Sequence, residues 1–244
     1  LTLDDSADAD NEDGTLARSS LTGLGSGGLV YGAVESLDLR LGSGSNKIIV
    51  SGVGAPSTLS LGGGTDEVEL SGSILDFAHN LSIVGQPSDN DKLSFGFTSA
   101  ASFTVSGNEI SSGIGANATK IIDYAGISEL SGNLSNQADE VVINDSTSGL
   151  TLNTGGGGDK ITINKLSHPS TIDVGATIGT DTLRDIVTIR DAGADVRVSG
   201  DANGDVVVID RSAVSESVAN GQLRDTGSKL GTLTGVLGGT LTSD

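Results

Sequence analysis

Cysteine, methionine and tryptophan are absent from this 244-residue chain, and its aromatic residues are two Tyr and four Phe. Without cysteine there is no disulfide framework, no zinc–thiolate site and no thiol nucleophile. Two His are too few for a histidine-rich metal centre. Without tryptophan, and nearly without tyrosine, the flat faces on which sugar rings stack are missing. Basic residues are also scarce: 13 Lys and Arg stand against 32 Asp and Glu, a net charge of −19. That balance argues against nucleic acid as a partner, because phosphate recognition needs a basic patch. No apolar run reaches the ~18 residues of a membrane span, so no membrane insertion is expected. The opening LTLDDSADAD has no basic n-region and no apolar core, so no signal peptide is read there.

What is present is glycine, 37 residues against three prolines, with Ser, Thr and acid. Such a composition borders on disorder, but the apolar residues are patterned. Leu37-Asp38-Leu39-Arg40-Leu41, Val68-Glu69-Leu70, Ile161-Thr162-Ile163 and Val196-Arg197-Val198 alternate at period two between Gly, Asn, Asp or Ser. Short alternating runs between such residues read as strands and turns. The best helical candidate, 213–223, is interrupted by Gly221 and has few apolar anchors.

Repeats decide the expected architecture. LDLRLGSGSNKIIVSG (37–52) is followed by STLSLGGGTDEVELSG (57–72), a shift of 20, and GLTLNTGGGGDKITINK (149–165) has the same form. Each reads strand, Gly-rich turn, acid or amide, strand. The marker at the end of the turn falls at Asn46, Asp66 and Asp91, then at Asp139, Asp159, Asp185 and Asp205. The steps are 20 and 25, a gap of 48, then 20, 26 and 20, so one coil in the gap is expected to have lost its marker. A longer period overlies this one: VYGAVESL (30–37) matches DYAGISEL (123–130) at an offset of 93. The chain therefore divides into a long repeat over 1–92, a second with an extra coil over 93–205, and the start of a third over 206–244. The expected fold is all-β: a parallel β-solenoid (β-roll or β-helix) of about 20–26 residues per coil, with essentially no helix. Leu37, Leu39, Leu41, Ile48 and Val50 are expected to point inward, and Asn46 and Asp66 to stack in adjacent coils. A sandwich is the competitor, but the hairpin dipeptides Asn-Gly and Asp-Gly occur only at 13–14, 203–204 and 220–221.

The turns LGSGSNKI, LGGGTDEV and TGGGGDKI resemble the glycine-rich nonapeptide of RTX (hemolysin-type) repeats, GGxGxDxUx. The match covers Gly42, Gly62 and Gly155, Gly44, Gly64 and Gly157, the acid or amide at Asn46, Asp66 and Asp159, and Ile48, Val68 and Ile161. The wider phrasing is similar to degenerate repeats of very large bacterial surface or secreted proteins. The resemblance implies a parallel β-roll with calcium between neighbouring glycine loops, and an extracellular or cell-surface location. Carried over residue by residue, it implies metal ligands at Asn46, Asp66, Asp139, Asp159 and Asp185. This sequence departs from the pattern: the motif recurs at about 20 residues, so one edge should lack it, and the loop before Asp139 has no glycine. The alternative reading is a β-arc corner, in which Gly supplies positive φ and Asp or Asn hydrogen-bonds the turn.

Asp4, Asp5, Asp8, Asp10, Glu12 and Asp13 form a second acidic cluster, better read as a solvated loop than as a D-x-D-x-D-G calcium loop because Ala9 falls at the first ligand position. No phosphate loop, nucleophile elbow or dinucleotide fingerprint occurs. His79 and His168 recur at similar places before strands and read as corner residues rather than catalytic bases. The sequence thus points to a non-catalytic structural solenoid, used as a stalk, adhesin shaft or filament subunit. It would continue head to tail with another copy or with flanking repeats, and a surface or polysaccharide ligand is left open. The alternative is a β-helix lyase or glycosidase, which a basic residue, a carboxylate pair and an aromatic on one face would favour.

Overall fold

A computed structural model describes residues 1–115, 119–175, 183–200 and 204–210. The candidate helix at 213–223 and most of the third repeat lie outside these residues. The described chain is all-β and rich in parallel pairing. In chain order its strands are β1 (Thr2–Asp4), β2 (Asp13–Ala17), β3 (Ser20–Gly23), β4 (Ser26–Val30), β5 (Leu37–Arg40), β6 (Lys47–Val50), β7 (Ser57–Ser60), β8 (Glu67–Gly72), β9 (Leu81–Val84), β10 (Lys92–Phe97) and β11 (Ser102–Gly107). They continue as β12 (Glu109–Ser112), β13 (Thr119–Ala125), β14 (Glu129–Asn133), β15 (Glu140–Ser146), β16 (Gly149–Asn153), β17 (Lys160–Ile163), β18 (Ser170–Asp173), β19 (Ile186–Ile189), β20 (Val196–Ser199) and β21 (Val206–Ile209). A 3-10 turn, Ile74–Asp76, is capped by Ser73.

Two open sheets face each other across one core. Sheet one has eleven strands in the order β1-β5-β7-β9-β13-β12-β11-β15-β17-β19-β21, and sheet two has ten in the order β20-β18-β16-β14-β10-β8-β6-β2-β3-β4. Outside two meanders the chain crosses from one sheet to the other after every strand, so like residues stack in columns. In sheet two, Ile48 pairs with Val68, Val68 with Leu93, and Leu93 with Leu130. In sheet one, Phe103, Val141, Ile161, Val187 and Val207 form a second such column. The inward set read from period-two alternation is borne out: Leu37, Leu39, Leu41, Ile48 and Val50 are all buried. Each strand alone has one apolar face of two or three residues, so the core exists only where strands from successive repeats share it.

The pairing is not wholly parallel, and this corrects the sequence reading. β2-β3-β4 and β11-β12-β13 are antiparallel meanders within a single sheet. Three of their four turns are Arg18-Ser19, Leu24-Gly25 and Gly107-Asn108. The Leu24-Gly25 turn has φ of 56° and 61°, the positive values that a tight hairpin needs. A search for Asn-Gly and Asp-Gly passes over all three.

The second meander explains where the aromatics went. There sheet one has three strands, β13, β12 and β11, facing only β10 and β14 of sheet two. The wider interior is filled by Phe95, Phe97 and Phe103, whose ring centroids lie 5.5 to 5.7 Å apart, and by buried Tyr124. Phe95 pairs with Gly132, which pairs with Leu152. The ring lies over the glycine, so a Cβ at Gly132 would collide with the Phe95 ring. Gly132→Ala is therefore expected to destabilise the chain by about 1–3 kcal/mol, the usual cost of overpacking. Denaturant unfolding measures it, and Phe95→Leu in the same chain should recover part of the loss.

Candidate functional site: buried carboxylate ladders

A corner between two strands leaves its last N–H with no strand partner, and burial makes that costly. The marker residues answer this need for one another. Asn46 Oδ1 accepts the Glu12 N–H at 3.0 Å, Asp66 Oδ1 accepts the Asn46 N–H at 2.7 Å, and Asp91 Oδ1 accepts the Asp66 N–H at 2.9 Å. A second series runs through Asp139, which accepts the Ala101 N–H. Asp159 Oδ1 then accepts from Asp139 N–H at 2.8 Å, Asp185 from Asp159 at 2.7 Å, and Asp205 from Asp185 at 3.2 Å. All seven markers are buried.

The two series lie on opposite edges. Asn46, Asp66 and Asp91 stand where the chain passes from sheet one to sheet two, and Asp139, Asp159, Asp185 and Asp205 where it passes from sheet two to sheet one. The expectation that one edge lacks markers throughout is corrected accordingly. The long gap does hold one unmarked corner on the first edge, 126–128, where Ser128 N–H donates to the Asp91 carbonyl. From β2 to β10 the chain makes seven alternating visits to the two sheets, the meander β2-β3-β4 counting as one, and an odd number places the next repeat's corresponding strands in the other sheet. The sequence offset of 93 was legible; the exchange of edges was not, because it depends on how many times the chain changes sheet within that offset.

The glycines of these corners serve close stacking. Gly62 has φ of 80°, and a Cβ there would run into the Gly42 carbonyl of the preceding corner. Asn46 does not offer a cation its second side-chain atom, because Nδ2 donates to the Gly44 carbonyl at 3.0 Å. Asp66 differs: its Oδ2 is buried and accepts no hydrogen bond. Burial, partly offset by the Asn46 N–H and reinforced by the Asp91 charge, pushes the Asp66 carboxyl from 3.8 up to about 6. Burial likewise raises Asp91 and Asp139.

The N-terminal acidic cluster is only partly assembled. Asp5, Asp8 and Glu12 each bring a carboxylate oxygen within 4.8 Å of the others, at intermediate exposure. Their loop rests on the Asn46 corner, with Ser43 N–H on the Asp8 carbonyl and Ser45 N–H on Asn11 Oδ1. Burial, then the hydrogen bond and charge of Asp5, raise the Glu12 carboxyl, and Glu12 Oε2 is buried without a hydrogen bond. Asp4 is drawn elsewhere by Ser6, and Asp10 and Asp13 are not part of the triad.

A groove of about 720 Å³ crosses the outer face of sheet two, lined among others by Lys92, Glu129, Thr151, Thr171, Asp195 and Arg197. Lys92 is paired with Glu129 at 2.9 Å. No aromatic lines the groove, and all the Phe and Tyr124 are buried in the core. His168 Nδ1 lies 2.9 Å from the Ser146 carbonyl, a corner contact. No helix among the described residues is long and apolar enough to cross a membrane. No family model matches the chain, and no curated protein or solved structure matches it either.

The raised Asp66 carboxyl fixes the sign of a pH dependence. Folding takes up a proton between 3.8 and about 6, so this contribution is full below the unfolded value and is lost as pH rises through about 6. Two units amount to roughly 3 kcal/mol. In EDTA, stability should therefore fall on going from the acid to the neutral side of pH 6. Asp66→Asn should flatten the slope without destabilising the neutral protein, because its amide reproduces the Asn46 arrangement. Chemical denaturation across this range checks it; an unchanged slope in Asp66→Asn would remove Asp66 as its source.

Proposed function

We propose that the chain is a segment of a non-catalytic β-solenoid rod, an extracellular or bacterial cell-surface stalk, adhesin shaft or filament subunit. The two sheets are the walls of the solenoid, and each crossing and return between them is a coil. The observation that carries this reading is the continuity of the columns and of the corner ladders, which join each coil only to its neighbours. Eleven strands at about 4.8 Å give a segment roughly 50 Å long. Such a rod continues head to tail, through flanking repeats of a longer chain or through a second copy. The enzyme alternative has the charged groove in its favour but no aromatic platform beside it. Drawn from its two ends in a single-molecule force experiment, the chain should lengthen in steps matching whole coils of 20–26 residues or multiples of them. Steps unrelated to the repeat would contradict the rod.

Calcium belongs to this reading as a ligand of the acidic corners. Buried carboxylate oxygens with no hydrogen bond include Asp66 Oδ2 and, in the Asp5–Asp8–Glu12 triad, Glu12 Oε2. Calcium favours such oxygen-rich surroundings. At neutral pH, calcium should raise the melting temperature of the EDTA-treated chain, since an ion that binds only the folded state stabilises it. Asp66→Asn and Asp8→Asn should each reduce the rise. Identical melts with and without calcium would remove the ion and leave the corners as hydrogen-bonded turns.

A further inference from the structure

The two meanders are copies of one another, and among the described residues only one of them is covered. Tyr31 and Tyr124 hold equivalent positions at the offset of 93. Tyr31 N–H donates to Ser19 and its hydroxyl to the Ala17 carbonyl; Tyr124 N–H donates to Asn108 and its hydroxyl to the Gly107 carbonyl. In the inner copy, the outer edge of β13 pairs in parallel with β9, placing Leu81 beside Ile122 and Ile83 beside Tyr124. Ile122 and Tyr124 are consequently buried. In the first copy the corresponding edge of β4 has no strand partner among the described residues. Leu29 and Tyr31, the counterparts of Ile122 and Tyr124, are only partly buried, as is Leu3 on β1, while Val30 is 83% exposed.

A second observation points to the same missing layer. Along its ladder each marker side-chain oxygen accepts the N–H of the preceding corner, and the Glu12 N–H is the first donor. Its Oε2 is buried with no donor, and Oε1 faces the β3–β4 turn, where a Cβ on Gly25 would meet it at 2.7 Å. Among the described residues, no preceding corner donates an N–H to the Glu12 carboxylate.

We propose that the rim formed by the outer edges of β1 and β4 is the acceptor face for a second copy of this chain, whose strand lies parallel to β4 as β9 lies on β13 and whose corner N–H is accepted by Glu12. This assignment rests on the rod reading and gives its head-to-tail contact a site. The contact is heterologous, which propagates rather than closes. One residue limits it. At Gly126 a Cβ would strike the Gly85 carbonyl of the neighbouring corner, whereas the first copy carries Ala33 there, with φ of 53°. The Ala33 methyl stands in the path of an incoming corner and keeps the association weaker than the internal joint.

Sedimentation of the full chain in EDTA, over a wide concentration range, tests this with Glu12 left to the protein partner. Wild type should associate reversibly. Leu29→Glu should weaken association on the order of tenfold or more, about 1.4 kcal/mol. Val30→Pro gives a second variant that spares the β3 pairing: Tyr31 N–H already serves Ser19, so by strand alternation the Val30 N–H faces the open edge. Ala33→Gly should strengthen association. A wild type that stays monomeric at its highest soluble concentration, or association that both edge variants leave unchanged, overturns the proposal. If such a chain still lengthens in whole-coil steps under force, the rim assignment fails and the rod reading stands.

Discussion

At each marked corner a backbone N–H is buried with its partner strand already turned away, and everything else in the fold depends on finding it an acceptor. A side-chain carboxylate one repeat further on supplies it, at 2.7 to 2.9 Å for Asn46, Asp66, Asp139 and Asp159. The acceptor must come from the next repeat, so the bond fixes the axial register as well as satisfying the donor. The glycines follow from it: corners that reach each other's carboxylates approach closely enough for the backbone of Gly62 to touch that of Gly42. A carboxylate held in this way is deprived of water. That deprivation is why burial raises Asp66, Asp91 and Asp139 together, and why protons or cations are the expected regulators of its stability.

The core between the ladders is thin, and its composition follows the local strand count. Where two strands face two, Leu, Ile and Val columns suffice. Where three strands of sheet one face two of sheet two, the Phe95–Phe97–Phe103 cluster and Tyr124 fill the extra width. The meander keeps the chain in one sheet, so it widens the core without altering the alternation of sheets. The ladder moves to the opposite edge because the chain changes sheet an odd number of times, seven, between β4 and β11.

Much of this was legible in the sequence. Period-two alternation located Leu37, Leu39, Ile48 and Val50 on the buried face, and the 20-residue shift placed Asn46 against Asp66. The marker list itself identified the ladder members, including Asp91 and Asp205. The meanders were hidden because their turns, Leu24-Gly25 and Gly107-Asn108, lie outside the commonest hairpin dipeptides. The convergence of Asp5, Asp8 and Glu12 was hidden because the loop takes its shape from the Gly42–Asn46 corner beneath it rather than from its own spacing. At Asp66 the residue type alone could not separate turn acceptor from cation ligand: one oxygen serves the first role, while the other has no hydrogen bond.

The exchange of edges across β11-β12-β13 is the most distinctive consequence of this account, and the absence of cysteine makes it accessible to site-directed spin labels. Ala78 and Ser88 are exposed and flank the same strand, β9, on opposite edges, and Asn136 is exposed at the corner that leads into Asp139. β9 and β15 lie four strand positions apart in sheet one and begin on the same edge, a separation of roughly 19 Å at the usual strand spacing. Pulsed electron spin resonance on the two double-cysteine variants should place Asn136 nearer to Ala78 than to Ser88. Equal distances, or a shorter distance to Ser88, would contradict the exchange.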